Sequence, residues 1–171
     1  QSIVDFLDHE SSVIRKKAVT TCARLLQKNM EVNYNLYNSQ TTILVIKRLL
    51  NVAIIDEGES FSSHTRWPPD ATIRTAALQS FANQFDDILS QPYFLKQLFM
   101  LLYDNEFEIR ETTIELLGRL SPKNPGCIHP TARVLLLELV RQVLSPVEDI
   151  HKRENSAKLL GILIRKYTKL V

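Results

Sequence analysis

At 171 residues, 44% hydrophobic and 23% charged, the chain has the size and composition of one globular domain. It lacks a signal-like opening and any run of about 18 apolar residues, which excludes a membrane-spanning helix. The formal net charge of +2 is unevenly spread, with seven Lys/Arg against four Asp/Glu over 1–53, four against eleven over 54–118, and ten against four over 119–171. Partner surfaces of opposite sign are one reading of such asymmetry; ordinary solvated helix faces are the other.

Four glycines and seven prolines, with Leu and Ile abundant, favour helix over a turn-rich β fold. Cys22 and Cys127 form no CxxC motif or Cys/His cluster, which points to a reduced, intracellular setting. The chain opens at Gln1 on residues that read as the end of a helix, as in a piece of something longer. Apolar spacing then predicts helices over 10–28, 40–55, 71–89, 92–103, 107–120, 129–144 and 146–168, with no sheet.

Four of these helices share a pattern anchored on an arginine: Arg15, Arg74, Arg110 and Arg153. The preceding residue is Ile14, Ile73 or Ile109, with Lys152 as the departure. Three residues on come the small Ala18, Ala77, Thr113 and Ser156; seven on, the apolar Cys22, Phe81, Leu117 and Leu160; ten on, Leu25, Gln84, Leu120 and Leu163. These offsets form one stripe of an α-helix, with the small residue admitting a close neighbour.

Between them lie 41–55, 92–103 and 131–144, more nearly apolar all round, and so expected to be buried on more than one side. Alternation of the two sets predicts antiparallel helix pairs, and a repeat of about 40 residues is that of a HEAT-type α-solenoid. The division is one segment, 1–171, of about 3.5 repeats: 1–28 (partial), 39–90, 91–121 and 128–171, with a long polar loop at 56–69. Asp70 after two prolines reads as a helix cap, Ser90 as the cap before Pro92, and Ser145-Pro146-Val147-Glu148 as a capping box. Asp104 in a turn and Arg110 in the next helix suit a ladder in which each arginine bridges to the acidic turn of the adjacent repeat.

Phe107-Glu108-Ile109-Arg110-Glu111, with Gly118-Arg119-Leu120-Ser121 and Asn124-Pro125, is more specific than a generic repeat. Followed by "HKRENSAKLLGILI", it resembles the amino-terminal HEAT region of the TOR (target of rapamycin) protein kinases, and "DFLDHESSVIRKKAVTTCARLL" resembles the preceding repeat. The resemblance covers most of the chain and is strongest over 94–163, while 27–40 and 56–69 depart from it. It implies a scaffold that precedes a distant Ser/Thr kinase domain, dimerises, and recruits subunits of the Raptor type. It also implies neighbouring HEAT repeats of the same chain and a cytoplasmic location, peripheral at endomembranes through the complex.

The residues independently speak against catalysis here. A kinase needs a glycine-rich loop, a strand lysine, a catalytic loop and a metal-binding aspartate, and none is present. His9, His64, His129 and His151 lack zinc-ligand spacing. Asp86-Asp87 and Glu148-Asp149 sit at expected helix ends, where carboxylates cap. Cys127 and His129 have no orienting third group. No catalytic residue, metal ligand, cofactor or small-molecule substrate is therefore expected. The basic C-terminal third raises nucleic-acid binding, but only Tyr167 accompanies Lys158, Arg165, Lys166 and Lys169. The expected partner surface is Lys158, Arg165 and Lys166; Trp67 in the loop either folds back onto the neighbouring helices, the favoured reading, or anchors a partner as well. A HEAT- or armadillo-type adaptor of another system, such as a transport receptor or phosphatase scaffold, is the alternative.

Overall fold

The structure, a computed structural model, describes residues 2–32, 40–54 and 70–167. The loop 56–69, Trp67 and His64 lie outside them. Every regular element among the described residues is helical, and the all-α fold expected from the periodicity is the one observed. The chain divides into two compact units, Gln1–Phe85 and Asp86–Val171.

In the first unit a short 3-10 helix, Ile3–Asp8, leads into α1 (Ser12–Val32), α2 (Gln40–Ala53) and α3 (Ala71–Gln79). The 3-10 helix is held by a capping box, with Ser2 Oγ accepting from Val4 N and Asp5 Oδ2 accepting from Ser2 N. Ala18, Val19, Cys22, Ala23 and Leu26 of α1 are buried, as are Val45, Ile46, Leu49, Leu50 and Ala53 of α2. Asp70 caps α3, accepting from Thr72 N at 2.8 Å. The helix predicted over 71–89 is interrupted. Ser80 Oγ donates to Ala77 O at 2.6 Å, competing for a helical carbonyl, and the backbone turns at Ser80–Ala82. A 3-10 turn, Asn83–Phe85, follows, and the buried Phe81 and Phe85 meet edge to face at 6.1 Å.

The second unit contains α4 (Asp86–Leu89), α5 (Pro92–Leu101), α6 (Phe107–Leu120), α7 (Pro125–Leu144) and α8 (Ile150–Tyr167). Their directions follow from cross-helix contacts. Ser156 Oγ donates to Gln142 Oε1 and Arg153 Nε to Val143 O, so α7 and α8 run antiparallel. Lys158 lies over the Phe107 ring and Lys166 beside Glu115, so α6 and α8 run parallel. Asn124 Nδ2 donates to Ser90 O at one end, and Phe99 and Leu102 meet Thr131, Ala132 and Leu135 further along, so α5 and α7 are parallel too. The unit is thus two helix pairs stacked in the same sense.

The boundaries correct three expectations. Gln91, not Ser90, precedes α5, and it makes no side-chain cap; Ser90 Oγ instead donates to Asp87 O. Helix α7 starts at Pro125 rather than 129, because Asn124 Oδ1 accepts from Cys127 N and Pro125 occupies the first helical position. Helix α8 starts at Ile150, not Pro146, with Asp149 Oδ2 accepting from His151 N.

Candidate protein-interaction surface

Three of the four anchor arginines reach backbone carbonyls at the end of the element before their own helix. Arg15 Nη1 donates to His9 O and Glu10 O, at 2.9 and 3.0 Å, where the 3-10 helix ends. Arg74, only 2% exposed, donates from Nε to Ala53 O, the last residue of α2, at 2.8 Å. Arg153 Nε reaches Val143 O near the end of α7 at 3.2 Å. Each arginine thus tethers its helix to the exposed carbonyls that close the element before it. Arg110 is the exception, and its Nε is buried without a hydrogen-bond partner. The carbonyls of Phe99, Met100 and Leu101, at the end of α5, accept from Leu102, Tyr103 and Asp104 N, and none accepts from Arg110 Nε. Burial pulls the Arg110 guanidinium below its ordinary pKa, and the nearby Asp104 carboxylate opposes that shift.

Around the anchors, Ala18, Ala77, Thr113 and Ser156 are all buried, and so are Ile73, Ile109 and Leu117. Ile14 is 38% exposed and Leu160 half-buried, contrary to the stripe drawn through them. In α1 and α8 the buried face takes in neighbouring positions, Val19 and Leu26 beside Ala18 and Cys22 in the first and Leu159 and Ile162 beside Ser156 and Leu163 in the second.

The motif that carries the family resemblance builds one corner of the second unit. Arg119 holds the buried Asp86 through Nε at 3.0 Å and Nη2 at 2.9 Å, and Lys123 Nζ sits 2.7 Å from Asp87. Ser121 Oγ and His129 Nε2 are 3.0 Å apart and link α6 to α7. Asn124 both caps α7 and reaches Ser90. The Asp86-Asp87 carboxylates, the pair that would suggest acid–base chemistry, are therefore bound to basic side chains of the same corner. Among the described residues no group of three His, Cys, Asp or Glu could hold a metal ion.

The basic residues of α8 named as a partner surface are exposed, and two of them also touch α6. Lys158 Nζ stands 5.9 Å from the Phe107 ring centroid, and Lys166 Nζ lies 3.7 Å from Glu115. Arg165 is exposed. Two of the three lysine and arginine residues assigned to a partner thus already contact α6.

Helices α5 and α7 depart from expectation in the opposite way. Apolar all round, they were expected to be buried on more than one side. Each instead exposes a stripe at identical spacing: Tyr93, Lys96 and Met100 on α5 continued by Tyr103 in the turn after it, and Val134, Leu137, Arg141 and Leu144 on α7. Leu137 is 68% exposed and Tyr103 54%. The spacing was visible in the sequence, but periodicity alone does not tell which of two apolar faces has a neighbour.

No family model matches the chain. Curated proteins do. The chain is 36% identical over 170 residues to the serine/threonine-protein kinase mTor of Drosophila melanogaster, with 97% of the chain and 6% of that protein aligned. It is 32% identical to the serine/threonine-protein kinase TOR of Arabidopsis thaliana, over 100% of the chain and 7% of the kinase. Against the TOR2 kinase of Saccharomyces cerevisiae the identity is 35%, over 94% of the chain and 6% of the kinase. The chain therefore spans only a small part of the relatives it matches.

Proposed function

The chain belongs to the TOR kinases, as one segment of such a protein, and from that premise we propose that it is a non-catalytic HEAT-repeat scaffold that supports assembly of a growth-signalling kinase complex. The observation that carries this reading is the use made of the family motif. Arg119, Ser121 and Asn124 engage Asp86, His129 and Ser90, and none of them faces a cleft. Stacked helix pairs in register are the geometry of a repeat array, whose long surfaces suit protein partners.

The partners are subunits of the kinase complex, of the Raptor type, and further repeats of the same protein. Phosphoryl transfer belongs to a distant kinase domain, and this segment contributes none. Its place is the cytoplasm, peripheral at endomembranes through the complex.

The test uses a full-length TOR kinase with and without this segment. Deletion should abolish co-purification of at least one complex subunit while leaving phosphorylation of a generic peptide intact. Undiminished recovery of every subunit would reject the scaffold reading.

A further inference from the structure

We infer that the outward face shared by α5 and α7 is a docking site for an acidic amphipathic helix of another protein. The inference rests on the scaffold reading and names the surface that does the scaffolding.

Three observations carry it. The two helices are parallel neighbours: Asn124 Nδ2 reaches Ser90 O where both begin, and further along Phe99 and Leu102 line one small cavity with Ile128, Thr131, Ala132 and Leu135. Their exposed stripes therefore adjoin along one side of the unit. The stripes are large and apolar, formed by Met100, Tyr103, Val134, Leu137 and Leu144, whereas isolated exposed apolar residues are ordinary. Third, basic charge predominates on the two helices. Every exposed charged residue of α5 and α7 is basic, namely Lys96, Arg133 and Arg141, while Glu138 is half-buried and accepts from Gln142 Nε2.

An apolar strip bordered by three bases complements a helix with apolar residues at i, i+3 and i+7 and carboxylates on either side. A second copy of this face would oppose base to base. A neutral membrane would leave the bases unanswered. Charge complementarity thus selects the acidic helix over either.

The experiment uses the full 171-residue chain and two synthetic amphipathic helices with the same leucine stripe, one flanked by glutamates and the other by lysines. Fluorescence anisotropy should show the glutamate probe binding at least about tenfold tighter, an advantage that falls as salt rises. Leu137→Ser with Tyr103→Ser should weaken that probe by about tenfold or more, with the circular dichroism spectrum unchanged. Lys96→Glu, Arg133→Glu and Arg141→Glu together should invert the preference. Equal affinity for both probes, or glutamate-probe binding that survives Leu137→Ser and Tyr103→Ser, would overturn the assignment. So would uptake onto neutral phosphatidylcholine vesicles, or sedimentation showing a dimer that Leu137→Ser abolishes. If the probes fail while segment deletion still removes a complex subunit, the scaffold reading stands and only this surface is wrong.

Discussion

Gly118 of α6 lies against Lys166 of α8, so closely that a Cβ at Gly118 would come within 2.8 Å of Lys166 Cβ. The contact is with the root of the lysine, next to its backbone, and not with the mobile end of the side chain. Helix α8 therefore has to move if position 118 gains a methyl group. Gly161, eight residues beyond its anchor arginine as Gly118 is beyond Arg110, has open space around its would-be Cβ.

This contrast makes a paired prediction. Gly118→Ala should destabilise the second unit by about 1–3 kcal/mol, as overpacking does, even after the better helix propensity of alanine is credited. Gly161→Ala should be neutral or stabilising by up to about 1 kcal/mol. Urea unfolding followed by circular dichroism reads both. Equal effects at the two sites would show that the α6–α8 approach is looser than described.

The tethering arginines are predicted to rank by burial. Arg74→Met removes the donor to Ala53 O and leaves a carbonyl unsatisfied beside a closed core. A loss of about 1–3 kcal/mol is expected. Arg153→Met removes a longer bond at an exposed position, and should cost less than about 0.5 kcal/mol. Denaturation midpoints of the two variants measure the difference, and a reversed order would contradict the tether.

Lys166→Glu tests whether the α8 bases are structural. Its ammonium lies near Glu115 and its stem lies on Gly118. Charge reversal places two carboxylates together, and the expected loss is about 0.2–1 kcal/mol because the pair is partly exposed. That loss should shrink in high salt. An unchanged melting curve at low salt would return this residue to the list of partner contacts.

What the sequence disclosed, and what it did not, divides along physical lines. The small residues three after each arginine are buried in every case, because helical spacing alone sets which side chains share a face. The break at Ser80 depends on one hydroxyl outcompeting a backbone donor, which composition does not register. The spacing places the arginines in the first turns of their helices, but it does not register the backbone carbonyls that Arg15, Arg74 and Arg153 reach. Carboxylates are conspicuous in a sequence, whereas an open carbonyl at a helix end has no residue signature. The exposed stripes of α5 and α7 were hidden for the complementary reason. An apolar residue looks the same whether its neighbour is present or absent.

Asp70 supplies a pH-dependent prediction. Hydrogen bonds from the Thr72 side chain and from backbone N–H groups hold its carboxyl below the ordinary value of 3.8. A depressed folded-state pKa stabilises above the unfolded value, and the contribution fades as pH falls through the folded one. Asp70→Ala should therefore destabilise α3 at neutral pH by about 0.5–2 kcal/mol, as loss of a helix cap does. Below the folded pKa the gap between wild type and Asp70→Asn should close, since a protonated carboxyl and an amide cap alike. Hydrogen exchange of the Thr72 and Ile73 amides across acid pH checks this. A gap that persists in acid would show that the charge is not what the cap supplies.

Cys22 and Cys127 should react very differently with a thiol reagent. Cys22 is 2% exposed within α1, and burial raises its pKa, so both access and the thiolate form are suppressed. Cys127 is half-buried in the first turn of α7, where the backbone N–H groups face outward. Under native conditions one thiol should label quickly and the other only as fast as the first unit opens. Mild urea should therefore accelerate the slow phase in proportion to unfolding and leave the fast phase almost unchanged. Mass spectrometry of the modified peptides assigns each phase to its cysteine. Rapid native labelling of Cys22 would mean that the α1 core, with Ala18, Val19 and Ala23 around that thiol, is far less closed than its burial implies.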